Sequence, residues 1–584
     1  MVSGPFLSPF HTMPIVGFWS EWWAGALGLA AAASGLIAIR GRSLTLPRVL
    51  VVPAVLLLTL LLQFGLGRLG FPQIGLLYAV YLLWAGMLMV LGRHLADTIG
   101  LARLADVLAA AMALGAVMGA AVALAQWLGV ADRVPWIFRN PASAISANLG
   151  QPNHHAHFSW LGIASAFYLC ARERLSRGLL WLLILLIGFG SVLSGSRSVF
   201  LYPLVLPAAL AWARHRDPHG PAGRLFANAA ILLPVLVVLN FFGVWATPRI
   251  PDFLTWLGSI LSSPDVGGFA IKTGGSAMAG ARLYESVSGF SPRLAITRGA
   301  WSAFVDQPWL GQGVGNYPWA SFVAAAGRTG EERFMVAEHA HNFVLHEFVE
   351  FGAPAAVAII LLLALWAKQF LRQPWRLEHA WCGAVLGIGA IHSLLEYPLW
   401  YSYFLGPTAL LLGATDSRRT VSLVGRRVTL YLVLAALAGA LILANLRSDY
   451  LKIEAASNYP LAAHPDREHA WRISMDRLLK LHSESLLSPW VLDAFTNLAE
   501  PSRQSAQDRA DLCERGIHFA PARSLVTRCA MQQAIAGRDQ DALALTLAVL
   551  RAFPAERTAT INELAKGAKE FSEIAPLWEM SFGK

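Results

Sequence analysis

Long apolar runs, broken by short polar stretches, recur along the first three quarters of the chain. They fall at about 17–39, 49–66, 72–92, 104–130, 156–171, 178–193, 198–213, 224–245, 343–367, 378–395, 401–415 and 427–445. Most approach the roughly 20 residues that cross a hydrocarbon core about 30 Å thick. The pattern therefore predicts an all-α, polytopic helical bundle of about twelve membrane spans. After Tyr450 charged residues become frequent. Ala and Leu now return at helical spacing, as in D-A-L-A-L-T-L-A-V-L-R-A-F-P, with Pro465, Pro489, Pro501, Pro521 and Pro554 as punctuation. This predicts a membrane domain over 1–445, with a polar loop at 246–341, and a small soluble helical domain over 446–584. That tail is compatible with helical hairpins of the tetratricopeptide kind, without a clean period.

Composition agrees. The 584 residues are 56% hydrophobic and 14% charged, against about a quarter charged in ordinary soluble domains. The net charge of +10 does not point to nucleic acid, because no aromatic and basic interleaving accompanies it. Arg40, Arg42 and Arg48, then Arg93 and Arg103, then Arg172, Arg174 and Arg177, then Arg214, Arg216 and Arg224, Lys368, Arg372 and Arg376, and finally Arg418, Arg419, Arg426 and Arg427 occupy alternate loops. By the positive-inside rule these loops are cytoplasmic. The intervening loops, the N-terminus and the tail then face the opposite, periplasmic side. No cleavable signal peptide is visible at the N-terminus. Of the four cysteines, Cys170 and Cys382 sit in apolar runs. In an oxidising compartment Cys513 and Cys529 could bridge two antiparallel helices, or remain free thiols.

The unusual polar clusters all fall on the non-cytoplasmic side of this topology. L-G-Q-P-N-H-H-A-H-F (149–158) offers Gln151 and Asn153, amides suited to sugar hydroxyls or phosphate, or else to capping a helix. S-G-S-R-S (194–198) places Arg197 between two spans, where a charge is costly and a bidentate grip on phosphate would justify it. Ser291–Tyr317 carries Arg293 and Arg298 on one helix and then G-Q-G-V-G-N-Y, a glycine-rich turn with no preceding strand and no P-loop lysine. E-H-A-H-N-F-V-L-H-E-F-V-E-F-G (338–352) gathers His339, His341 and His346 with Glu347 and Glu350. Its spacing is not that of a zincin, so a metal is not implied. His341 and Asn342 start a helix, where a neutral imidazole could act as a base. H-S-L-L-E-Y-P-L-W-Y-S-Y-F (392–404) holds Glu396 and Tyr397 beside hydrocarbon, where a carboxylate needs a partner.

These clusters, in this order, resemble the O-antigen ligase and polymerase superfamily of bacterial inner-membrane glycosyltransferases. The Gln-Pro-Asn-His segment and L-E-Y-P-L-W-Y-S-Y-F resemble its protein O-oligosaccharyltransferase branch of the PglL type. One departure is Thr297, where that pattern leads one to expect an aromatic residue. The resemblance implies a metal-independent enzyme that needs no cofactor. It would transfer a whole glycan from undecaprenyl pyrophosphate to Ser or Thr hydroxyls of a protein such as a pilin. The alternatives are a lipid A-core ligase or an O-antigen polymerase. It also implies His341 as the essential histidine, with Asn342 and His339 beside it. Arg197 and Arg293, with Arg298 nearby, would hold the pyrophosphate, and Gln151, Asn153, Glu396 and Tyr397 would contribute to substrate binding.

Overall fold

The computed structural model describes residues 1–37, 44–140, 144–219, 222–249, 292–327, 334–416, 419–423, 426–458 and 467–582. The predicted polar loop 246–341 is thus described only at its two ends and over 292–327, and Arg40, Arg42 and Arg418 lie outside the described residues. The predicted all-helical architecture is what forms. Among the described residues, fifteen helices precede the tail: α1 (Phe18–Ile37), α2 (Val51–Gly65), α3 (Pro72–Thr98), α4 (Leu101–Trp127), α5 (Pro152–Ala171), α6 (Arg177–Leu193), α7 (Val205–Arg216), α8 (Ala222–Ala230), α9 (Leu232–Ala246), α10 (Pro292–Asp306), α11 (Tyr317–Ala326), α12 (Phe343–Arg372), α13 (Leu377–Leu395), α14 (Ser402–Thr415) and α15 (Arg426–Asn458). Among the described residues the one sheet is an antiparallel pair, Leu44–Pro47 against Arg419–Leu423.

Each of the twelve predicted segments falls on a helix, but the helices are unequal. Among the described residues six, Arg48–Gly65, Pro72–Thr98, Leu101–Trp127, Ala227–Arg249, Phe343–Arg372 and Val433–Ser457, are long and apolar enough to cross a membrane. The others are shorter or more polar. α5 carries His154, His155 and His157 and is buried along most of its length. It packs against α4, α6 and α13, so its polar residues meet protein and not lipid. The outward faces are apolar, as with Leu58, Leu61, Leu62 and Phe64 on α2 and Val238, Phe241 and Val244 on α9. Small residues set the closest crossings. A Cβ on Gly92 of α3 would meet the Leu410 carbonyl at 1.9 Å, and one on Gly413 of α14 would meet that of Met89 at 1.9 Å, so these two backbones touch.

The tail comprises α16 (Arg467–His482), α17 (Ser488–Leu498), α18 (Ala506–Phe519), α19 (Arg523–Ile535), α20 (Asp539–Ala552), α21 (Arg557–Glu570) and α22 (Ala575–Met580). The predicted boundary at 445/446 falls inside α15, which runs from the membrane domain into the tail without a break. The tail is also packed onto the membrane domain. Tyr450 stacks on Phe18 at 3.8 Å, Leu492 joins a core with Phe71 and Ile74, and Cys513 and Ile517 pack with Phe322 of α11. Cys513 and Cys529 form the disulfide, joining α18 to α19 with Cα atoms 5.5 Å apart. Closing a loop of 16 residues is worth about 3 kcal/mol. Replacing both cysteines with serine is therefore expected to lower the Tm of the tail, and a melt under reducing conditions should reproduce the loss with the native chain.

Candidate active site

One end of the bundle gathers the start of α5, the start of α12, the end of α13 and the start of α10. Glu396, the residue that terminates α13, is their meeting point. His341 Nδ1 lies 2.6 Å from Glu396 Oε2. Arg293 Nη2 donates to Glu396 Oε1 at 2.6 Å, and Asn153 Nδ2 donates to the same oxygen at 2.8 Å. The carboxylate is buried, with 4% of its side chain exposed, while the His341 ring and the Arg293 guanidinium keep 28% and 33%. The acid lies beneath and the base and cation face outward. Burial alone would raise the carboxyl above its ordinary value. The His341 hydrogen bond and charge, then Arg293, outweigh it and hold Glu396 below that value. An ionised carboxylate only accepts, so a neutral His341 must donate from Nδ1 and leave Nε2 as a lone-pair acceptor.

The backbone at His341 supports this pose. Its φ is +49°, a left-handed conformation that a side-chain-bearing residue adopts at a cost. Asn342 secures it from the next position. Its Oδ1 caps α12 by accepting from Leu345 N at 3.1 Å, and its Nδ2 donates to Leu394 O at 3.2 Å. His339 does not join the carboxylate. Its half-buried ring is enclosed by Tyr397 at 4.1 Å, Trp400 at 4.4 Å and His346 at 5.5 Å. That enclosure, with His346 and His341 near, holds its imidazole well below the ordinary value, which suits a neutral wall of the site. Tyr397 stands edge-on to His341 at 5.1 Å. Burial, then Glu396 and Glu338, pushes its hydroxyl up to about 12.

The remaining predicted residues divide. Asn153 does not cap α5, because Gln151 occupies the N-cap position, and its amide goes to Glu396 instead. The Gln151 Oε1 is buried at the mouth without a protein hydrogen-bond partner, so an acceptor is left open for a ligand. Arg197 is half-buried at the start of a 3-10 turn, Arg197–Phe200. Arg298 is not brought into the site. It follows Arg293 by five residues, which at 100° per residue puts it roughly 140° around the helix, on the exposed face with Leu294 and Trp301. Thr297 lies on that outer face too, its hydroxyl donated to Arg293 O at 2.8 Å. The two arginines should therefore separate on mutation. Arg293→Ala loses a charge-assisted bond of about 1.5–3 kcal/mol, so its kcat/KM should fall about 10- to 100-fold. Arg298→Ala, a surface change worth about 0.5 kcal/mol or less, should stay within a few-fold of the native value.

Sequence reasoning gave the glycine-rich turn no partner, and the structure supplies one. α12 breaks at Gly352, whose φ of 79° and ψ of 169° are not helical, and Pro354 follows. The break frees carbonyls that the helix would otherwise pair. Gln312 N donates to Val349 O at 2.7 Å and Gly313 N to Glu350 O at 3.2 Å, while Ala353 N reaches Pro308 O at 2.8 Å. Gln63 Nε2 adds bonds to Leu310 O and Glu350 O, both 2.8 Å. The Glu350 side chain accepts from Gly315 N at 3.0 Å. The turn thus splices onto the kink and fixes the half-helix 343–351, whose first residues carry the site. A signal for Gln63 was present: it is an amide inside an otherwise apolar run, where polar groups are expensive unless partnered.

The comparisons with known proteins fit this architecture. A family model described as O-Antigen ligase matches residues 182–360, which includes Arg197, Arg293, His341 and the glycine turn. A second, described as Virulence factor membrane-bound polymerase, C-terminal, matches residues 380–565, which includes Glu396 and most of the tail. A curated protein named General O-oligosaccharyltransferase, from Acinetobacter baylyi, is 27% identical over 479 residues, covering 81% of this chain and 78% of its own length. The resemblance read from the motifs is thus found again along most of the chain. By these matches the chain is similar to the O-antigen ligase family and to a general O-oligosaccharyltransferase.

Proposed function

We propose that this chain transfers a preassembled glycan en bloc from undecaprenyl pyrophosphate to Ser or Thr hydroxyls of proteins, pilins among them, at the periplasmic face of a bacterial inner membrane. The observation that carries the reading is the His341–Glu396–Arg293 set at one end of a membrane bundle. A hydroxyl is a weak nucleophile, and His341 Nε2 is free to take its proton while Glu396 holds the ring and balances the imidazolium that forms. The acceptor oxygen attacks the anomeric carbon, the bond from that carbon to the diphosphate oxygen breaks, and the lipid pyrophosphate departs with the electron pair. Its growing charge is met by Arg293, by Arg197 on the neighbouring turn and by the N-terminus of the half-helix 343–351. These groups take the part that a metal plays elsewhere, so transfer should persist in chelator. The disulfide in the tail suits a compartment outside the cytoplasm, and the similarity to a general O-oligosaccharyltransferase supports a glycan-transfer reaction.

A second reading keeps the site and changes the acceptor to lipid A-core or a growing O-antigen. The match to the O-Antigen ligase model over residues 182–360 favours it. The deciding experiment expresses the chain in a bacterium that lacks its own ligases and supplies a lipid-linked glycan. Product is scored separately on a co-expressed pilin and on lipid A-core. Glycan on the pilin that disappears with Arg197→Ala supports protein transfer. Glycan only on lipid A-core replaces the first reading with the second.

A further inference from the structure

Beneath Glu396 lies a buried pair that the proposed chemistry does not use. The Tyr202 hydroxyl and His392 Nδ1 are hydrogen-bonded across 190 positions of sequence, and both residues are fully buried. Tyr202 stands five positions beyond Arg197, on the next 3-10 turn of the same segment (Tyr202–Leu204). His392 is in the last turn of α13, and its carbonyl accepts from Glu396 N at 2.8 Å, the bond that determines where Glu396 leaves the helix. From the third side His157 of α5 packs on His392 at 4.5 Å, one turn after the Asn153 that reaches Glu396. A phenol and an imidazole sealed in a membrane bundle pay desolvation that Phe and Leu would not, so the pair calls for a reason beyond packing.

We infer that Tyr202 and His392 are positioning residues: their bond sets the spacing between the Arg197 guanidinium and the His341–Glu396 pair. It is a direct side-chain tie between the segment that carries the one and the helix end that carries the other. With the tie cut, Arg197 can still attract a diphosphate, but not at a fixed distance from the base. Misalignment of this kind lowers the rate of the bound complex and leaves acceptor binding as it was. The inference rests on the donor reading given above.

The test uses the full-length protein in detergent, with lipid-linked glycan as donor and whichever acceptor the native chain glycosylates. Tyr202→Phe keeps the ring and removes only the hydroxyl. It is expected to lower kcat about tenfold, with the acceptor KM unchanged and Tm within a few degrees of native. Combined with Arg197→Lys it should lower kcat no further than Arg197→Lys alone, because both changes disturb one distance. His392→Gln gives the same test through the other partner if Tyr202→Phe yields little folded protein. Native kcat in both variants, or losses that multiply with Arg197→Lys, overturn the positioning role alone. A native chain that transfers glycan to neither protein nor lipid overturns the proposed function and the positioning role together.

Discussion

His341→Ala is expected to remove glycan transfer almost completely while leaving the protein folded in the membrane. A positioned general base contributes about 10²- to 10⁴-fold, and a loss of that order should appear in kcat. His341 is partly exposed and packs mainly against Tyr397 and Glu396, so the substitution opens no large cavity. Glu396→Gln makes the sharper experiment. A glutamine amide can donate to Nδ1 and so move the ring proton to Nε2, the atom needed as acceptor. The variant then has a ring of the right shape and the wrong tautomer, and its loss should approach that of His341→Ala. A native rate in His341→Ala would remove the base assignment. The same carboxylate has a thermodynamic signature. Its folded value is depressed, so its stabilisation is fully present above the ordinary carboxyl value of about 4.3 and is lost as pH falls through the lower folded value. The Tm values of native protein and Glu396→Gln should therefore converge on acidification below about pH 4 and differ at neutrality.

Why some of this was legible and some was not follows from the range of the interactions. Apolar periodicity is local, and each of its twelve segments fell on described helix, while α11 gave no such signal. Periodicity could not by itself tell a lipid-facing helix from an inner one such as α5. His341, Asn342, Arg293 and Asn153 were visible as polar residues in an apolar context. Glu396 was visible as a buried carboxylate in need of a partner, but its three partners come from positions 153, 293 and 341, and no spacing rule connects those. Arg298 was drawn in by its nearness to Arg293, which helix geometry undoes. Tyr202 and His392 each look like an aromatic residue in an apolar run until the fold brings them together. The Cys513–Cys529 bridge depended on two helices packing side by side, which the spacing permitted and could not require.

Gly352→Ala is expected to have the other large effect, and on both stability and activity. A Cβ at this position would lie 2.3 Å from Trp309 O and 2.5 Å from Trp309 C, both backbone atoms of the glycine turn. The residue also has φ +79°, which costs an alanine about 1–3 kcal/mol before any clash. The turn cannot yield at Gly311 either, where a Cβ would meet Glu350 O at 2.4 Å. Relief must therefore come from separating the turn from the kink. That strands the Val349 and Glu350 carbonyls and tilts the half-helix 343–351, which begins beside His341. The activity loss should then exceed the stability loss. A helix end displaced by about 1 Å can cost about 10²-fold in rate, while the strain lowers Tm by only a few degrees. Gln63→Leu supplies the comparison. It removes the side-chain amide that bridges Leu310 O and Glu350 O without adding a Cβ to the splice, so it should show the same ordering of effects at smaller size. Gly352→Ala with native kcat would mean that the half-helix holds its place without the turn, and the glycines would then need another explanation.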